Sequence, residues 1–124
     1  MNTLAILSRK GGAGKTTIAA HLGVIAEAHG LRTLFVDTDP QRSLTDWWRS
    51  RAAATPILVA AEAADRGKVS KVAKGEGSVD LMVIDTMPAA EGDATMATRA
   101  ADFAQVSVRP AILTFPPYRV CVPG

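Results

Sequence analysis

Lys10-Gly11-Gly12-Ala13-Gly14-Lys15-Thr16-Thr17 brings three glycines, two lysines and two hydroxyls into eight residues, a combination suited to holding phosphate. Glycines 11, 12 and 14 carry no Cβ, so the backbone can turn tightly and aim successive N–H groups at anionic oxygens. Lys15 adds a point charge for β- and γ-phosphates. Thr16 is expected in the first turn of the following helix, where its hydroxyl can ligate Mg²⁺ while the positive helix N-terminus faces the phosphates. The run fits G-x-x-x-x-G-K-[ST] only with its first glycine replaced, because Ser8, Arg9 and Lys10 occupy that region. Three carboxylates complete the set. Asp37 and Asp39 follow one apolar run and Asp85 closes another. A carboxylate at a strand end can orient water or accept a proton, although Asp-x-Asp-Pro is also good turn chemistry and a strand-end aspartate can simply cap the next element.

Positioning these groups requires strand, glycine loop and helix in that order. Thr3–Leu7 is an apolar run of strand length, and Ile18, Leu22 and Ile25 recur at helical spacing until Gly30 offers a C-cap. Further strands are expected at Thr33–Val36, Ile57–Val59, Val79–Ile84 and Phe103–Val108. Ser43-Leu44-Thr45-Asp46 reads as a capping box opening a helix. Glu62–Lys74 is expected to be helical despite Gly67, and Gly92–Ala101 has the composition of a short helix. Strands alternating with helices imply an α/β fold with an open, mainly parallel sheet, which binds ligands beyond the carboxyl ends of its strands. The glycine loop, Asp37 with Asp39, and Asp85 would then share one rim. Strand order does not follow from this pattern.

Composition sets bounds. With 124 residues, 48% of them hydrophobic, the chain is expected to form a single domain over 1–124. No apolar run reaches the roughly 20 residues that span a bilayer, and no leader is visible, so a cytoplasmic protein without membrane contact is expected. Cys121 has no partner for a disulfide or an iron–sulfur site, and His21 and His29 have no metal-ligand companions. A net charge of +2 is too small to establish nucleic-acid binding. Arg66, Lys68, Lys71 and Lys74 form a basic stretch that could touch DNA phosphates, though such faces are usually just solvated. Trp47 and Trp48 are adjacent and cannot share a helix face, so one is expected to pack and the other to lie at a margin.

Three motifs, KGGAGKTT at Lys10–Thr17, VDTDPQRS at Val36–Ser43 and VIDTMPAAEGD at Val83–Asp93, together resemble the deviant Walker A ATPases of the ParA/MinD type, particularly small ParA-like partition proteins. The resemblance implies a P-loop NTPase-like fold, ATP and Mg²⁺ as cofactors, and ATP hydrolysis. Lys10 would reach the nucleotide of a partner subunit in an ATP sandwich dimer, much as an arginine finger does, offsetting charge on the transferred phosphoryl group. It implies phosphate contacts along Lys10, Gly11, Gly12, Ala13, Gly14, Lys15, Thr16 and Thr17, with Lys10, Lys15 and Asp39 catalytic and Asp39 positioning the attacking water. Thr16, Asp37 and Asp85 would serve the Mg²⁺ site, partly through water, with Asp37 also supporting the switch network. The implied partners are a second copy of the chain, a ParB-like centromere-binding protein and nonspecific DNA, the last giving nucleoid association and cargo segregation for a plasmid or chromosome. Thr86–Gly92 would be the second switch, where Met87-Pro88 departs from the family's usual two prolines.

Members of the family usually continue well beyond the Val108-Arg109-Pro110 segment. The sheet is therefore expected to be incomplete at its carboxyl side. Residues 114–124 form an atypical tail, in which Pro116 and Pro117 oppose the expected amphipathic helix. A frame disruption or truncation would explain this. The alternative to a partition ATPase is accordingly a truncated, non-hydrolysing nucleotide-binding or regulatory remnant that associates with a full-length relative.

Overall fold

The computed structural model describes residues 1–8, 15–86 and 101–107. The expectations on Lys10 to Gly14, the Thr86–Gly92 switch beyond Thr86, the body of the Gly92–Ala101 helix, Val108, Cys121 and the 114–124 tail lie outside them.

Within the described residues the chain runs β1 (Asn2–Ser8), α1 (Lys15–Ala28), β2 (Thr33–Asp37), α2 (Ser43–Ser50), β3 (Ile57–Ala60), α3 (Arg66–Glu76), β4 (Leu81–Asp85) and β5 (Phe103–Ser107). A 3₁₀ turn at Ala63–Asp65 leads into α3. The strands form one parallel sheet in the order β3-β2-β4-β1-β5. β2, β4 and β1 lie inside the sheet, and β2 and β4, buried along nearly their whole length, read as nearly continuous apolar runs.

Alternate residues of the central strands feed two cores. Ile6, Phe35 and Val83 pack with Ala19 and Ala20 of α1 and Leu44 of α2 on one face. Leu34, Val36, Met82 and Ile84 meet Ala73 of α3 on the other. The helix faces differ from the expected pattern. Ile18 and Leu22 do pack against the core, but Ile25 is 53% exposed, and α1 turns Ala19, Ala20, Gly23 and Ala26 inward. Small residues let the helix axis approach the sheet closely, and the Phe35 ring fills the space that a Cβ on Gly23 would need. Gly30 ends α1 at φ 88°, with Leu31 N–H bonded to Ala26 C=O and Gly30 N–H to Glu27 C=O, the paired bonds of a Schellman cap.

Two further expectations change. The capping box at Ser43 does not form: Arg42, with φ 55°, occupies the N-cap position and makes no side-chain cap bond. Asp37 does the capping from the end of β2, taking hydrogen bonds from Thr45 N–H at 3.0 Å and Thr45 Oγ1 at 2.7 Å. β4 begins at Leu81 rather than Val79 because Asp80 is engaged by Arg32, whose N–H and Nε donate to Oδ2 and whose Nη2 donates to Oδ1. Both tryptophans are half-buried against the same core, correcting the division expected between them. Trp47 meets Phe35 edge-on at 5.9 Å, and Trp48 Nε1 donates to Pro56 C=O at 2.6 Å.

Candidate functional site at the carboxyl rim of the sheet

β2 and β4 pair in a register that sets Asp37 opposite Asp85, each the last residue of its strand. α1 begins at Lys15, so its first turn stands over the same rim. Lys15 Nζ pairs with Asp85 Oδ1 in a short contact and with Asp39 Oδ2 at 3.3 Å. Thr16 Oγ1 donates to the other oxygen of Asp85 at 3.2 Å. Four residues from three separate segments of the chain thus meet at one point, and Lys15, Asp39 and Asp85 are buried. Thr17 is exposed beside them and makes no part of this cluster among the described contacts.

The electrostatics are those of a cation-seeking pocket. Burial raises the Asp85 carboxyl above its ordinary range, opposed by the hydrogen bond and charge of Lys15 and reinforced by the charges of Asp37 and Asp39. A desolvated carboxylate with two others nearby gains most from an added positive charge. Thr16 and Asp85 offer hard oxygen donors side by side, which suits Mg²⁺. Among the described residues no three His, Cys, Asp or Glu side chains could enclose a metal by themselves.

Asp37 stands apart from this contact set. Besides Thr45, it accepts a hydrogen bond from Asp39 N–H at 3.1 Å, so both of its oxygens are committed to shaping the loop that carries Asp39. Asp39 in turn accepts Gln41 N–H at 3.0 Å, closing an Asx turn.

Four residues hold this rim through contacts that the sequence reading did not give them. Thr38 N–H and Oγ1 both donate to Asp85 C=O, each at 2.9 Å. Thr86 Oγ1 donates to Ile6 C=O at 2.7 Å, tying β4 to β1 just beyond the strand end. Arg42 Nη1 donates to the carbonyls of Asp37 and, at 3.0 Å, Ala61. Arg66, read from sequence as part of a solvated basic stretch, is buried, and its Nε donates to Thr38 Oγ1 at 3.4 Å. Lys68, Lys71 and Lys74 remain exposed. Thr38 was legible in principle as the residue between two strand-end aspartates, whereas no local spacing distinguishes Arg66 from its lysine neighbours.

The fold is shared with solved structures. A chain of the MinC:MinD cell division protein complex of Aquifex aeolicus superposes with a TM-score of 0.67 at 22% identity, over 86% of this chain and 55% of that one. A partition-type protein of Borrelia burgdorferi B31 bound to AMPPNP superposes at 0.64 with 19% identity, over 86% and 62%. In sequence, maintenance of carboxysome distribution protein A of Gloeobacter kilaueensis is 38% identical over 111 residues, covering 89% of this chain and 50% of that relative. Protein ParA of Rhizobium radiobacter is 27% identical over 113 residues, covering 91% and 51%. The chain spans about half the length of these curated relatives. The family model for the CobQ/CobB/MinD/ParA nucleotide-binding domain matches residues 4–106, and the chain belongs to that family.

Proposed function

We propose that the chain is the nucleotide-binding part of a ParA-like ATPase that binds Mg·ATP and acts in partitioning plasmid or chromosomal DNA. The observation that carries the reading is the convergence of Lys15, Thr16, Asp39 and Asp85 at the sheet rim where α1 begins. Lys15 and the amides opening α1 bind the phosphates. Thr16 and Asp85, with Asp37 behind them and partly through water, would hold Mg²⁺, which would supply charge neutralisation to the phosphates. Lys15 now satisfies both carboxylates; once it turns to phosphate, Asp39 has an oxygen available to orient water. Asp37 supports this loop from below through Thr45 and Asp39 N–H. Lys10 completes the site of a second copy in an ATP-dependent dimer. A ParB-like protein stimulates hydrolysis, DNA is bound nonspecifically by the ATP state, and the protein works in the cytoplasm. Relatives named as ParA support this reading. Among the described residues no helix is long and apolar enough to cross a membrane.

Calorimetry with Mg·ATP tests the reading, with Lys15→Ala as control after circular dichroism shows both proteins folded. Saturable binding lost in the variant is expected. Asp39→Ala should then keep binding and lose turnover, and Lys10→Ala should keep binding and lose ATP-dependent dimerisation in sedimentation. Binding without turnover in the wild type would select the non-hydrolysing regulatory role instead.

A further inference from the structure

We infer that Thr38 and Arg66 are positioning residues that set the Mg²⁺ half of the site, an inference resting on the Mg·ATP reading above. An arginine side chain donates hydrogen bonds and cannot accept them. At the 3.4 Å contact Arg66 Nε is therefore the donor and Thr38 Oγ1 the acceptor. The single hydroxyl hydrogen of Thr38 is left for Asp85 C=O at 2.9 Å. The direction of the chain, Arg66 to Thr38 to Asp85, is thus fixed by chemistry.

Its position gives it leverage. The β2–β4 ladder ends at the Asp37–Asp85 pair, and Thr38 extends the contact one residue further, with its N–H on the same carbonyl as its hydroxyl. Asp85 C=O thereby receives two bonds from one residue. Thr38 lies directly between Asp37 and Asp39, so the clamp sets where the Asp39 carboxylate stands relative to that of Asp85. Both carboxylates reach the same Lys15 ammonium. Arg66 begins α3, on the sheet face opposite α1, and is buried against this clamp. It orients the hydroxyl from the face of the sheet opposite α1. Thr38 and Arg66 therefore act on the carboxylates, while Lys15 and the first amides of α1 belong to the phosphate half.

The test is ATP affinity by calorimetry in excess Mg²⁺ and in EDTA. Thr38→Val keeps the shape and the backbone clamp but removes the hydroxyl. The expected result is an affinity in EDTA equal to wild type, with the Mg²⁺-dependent gain reduced about tenfold, in the range seen when groups that orient metal ligands are removed. Thr38→Ser should restore the gain. Arg66→Met should lower it in the same way, with Arg66→Lys partly restoring it, and this pair decides the matter if Thr38→Val does not fold. A role confined to stability would lower the melting temperature without splitting the two affinities. An undiminished Mg²⁺ gain in folded variants, or equal loss in Mg²⁺ and EDTA, overturns the inference while leaving nucleotide binding intact. Absence of ATP binding by the wild type overturns the Mg·ATP reading and this inference with it.

Discussion

Lys15 holds two buried carboxylates with one ammonium, and the arrangement makes its removal costly in a pH-dependent way. Breaking a buried pair from one side leaves the other charge without compensation, a loss of about 3 kcal/mol or more. For Lys15→Met the sign follows from Asp85, whose carboxyl is already raised by burial and is lowered only by Lys15. Without that lysine the folded-state value rises further above the unfolded one. A raised carboxyl contributes stability below its unfolded value, and that contribution is lost as pH rises through the folded value. The deficit of Lys15→Met against wild type should therefore widen from acid toward neutral pH in urea unfolding. A constant deficit across that range would show that Asp85 is not the group left uncompensated.

At the scale of elements, close approach and strand-end pairing do the positioning. Gly23 lies where α1 crosses Phe35, and a Cβ there would overlap Cε1 and Cζ of that ring. Gly23→Ala is expected to destabilise the protein by about 1–3 kcal/mol, the usual range for overpacking a core. Combining it with Phe35→Leu should recover part of the loss, which a double-mutant cycle by chemical unfolding would read directly. The opposite ends of β2 and β4 are joined by Arg32 and Asp80, and the Arg32 guanidinium holds the Asp80 carboxyl well below the ordinary carboxylate range. A lowered carboxyl contributes stability above its unfolded value and loses it as pH falls through the folded value. Asp80→Asn should thus be less stable than wild type near neutrality and converge with it in strong acid. The pair is exposed, so the difference will be small and reduced by salt. Much of this layer was legible in advance. Period and punctuation located all five described strands and the Gly30 cap, because those signals are local. The inward face of α1 was not, since Ile25 looks like core until the tertiary approach of Phe35 selects small residues. The Ser43 capping box failed for the same kind of reason: its role is taken by Asp37, six residues upstream, held there by the sheet. Within the site, Lys15, Asp39 and Asp85 were readable from motif spacing, but Arg66 was hidden among exposed lysines.

For the molecule as a whole, a parallel sheet gathers every strand-end group on one rim, so ligand binding and folding stability are linked at that edge. Asp37, Asp39 and Asp85 are buried there, and desolvated carboxylates raise the free energy of the folded state unless a cation compensates them. Lys15 does so for Asp39 and Asp85 in this arrangement, and under the proposed function Mg²⁺ would take over as Lys15 turns to phosphate. A ligand bound only by the folded state stabilises it by about 2.7 kcal/mol at a hundred times its dissociation constant. Mg·ATP at that level should raise the melting temperature by about 10 °C, since each kcal/mol shifts the midpoint by roughly 3–5 °C in a domain near this size. ATP in EDTA should give a smaller rise, because the carboxylates then lack their cation. Mg²⁺ alone should give little, because it would compete with Lys15 for Asp85 without phosphate to receive the displaced ammonium. Melts under the three conditions separate a coupled Mg·ATP site from independent metal and nucleotide sites. A rise with Mg²⁺ alone equal to that with Mg·ATP would mean that the carboxylate rim binds cations without reference to nucleotide, and the proposed exchange of Lys15 between carboxylate and phosphate would be wrong.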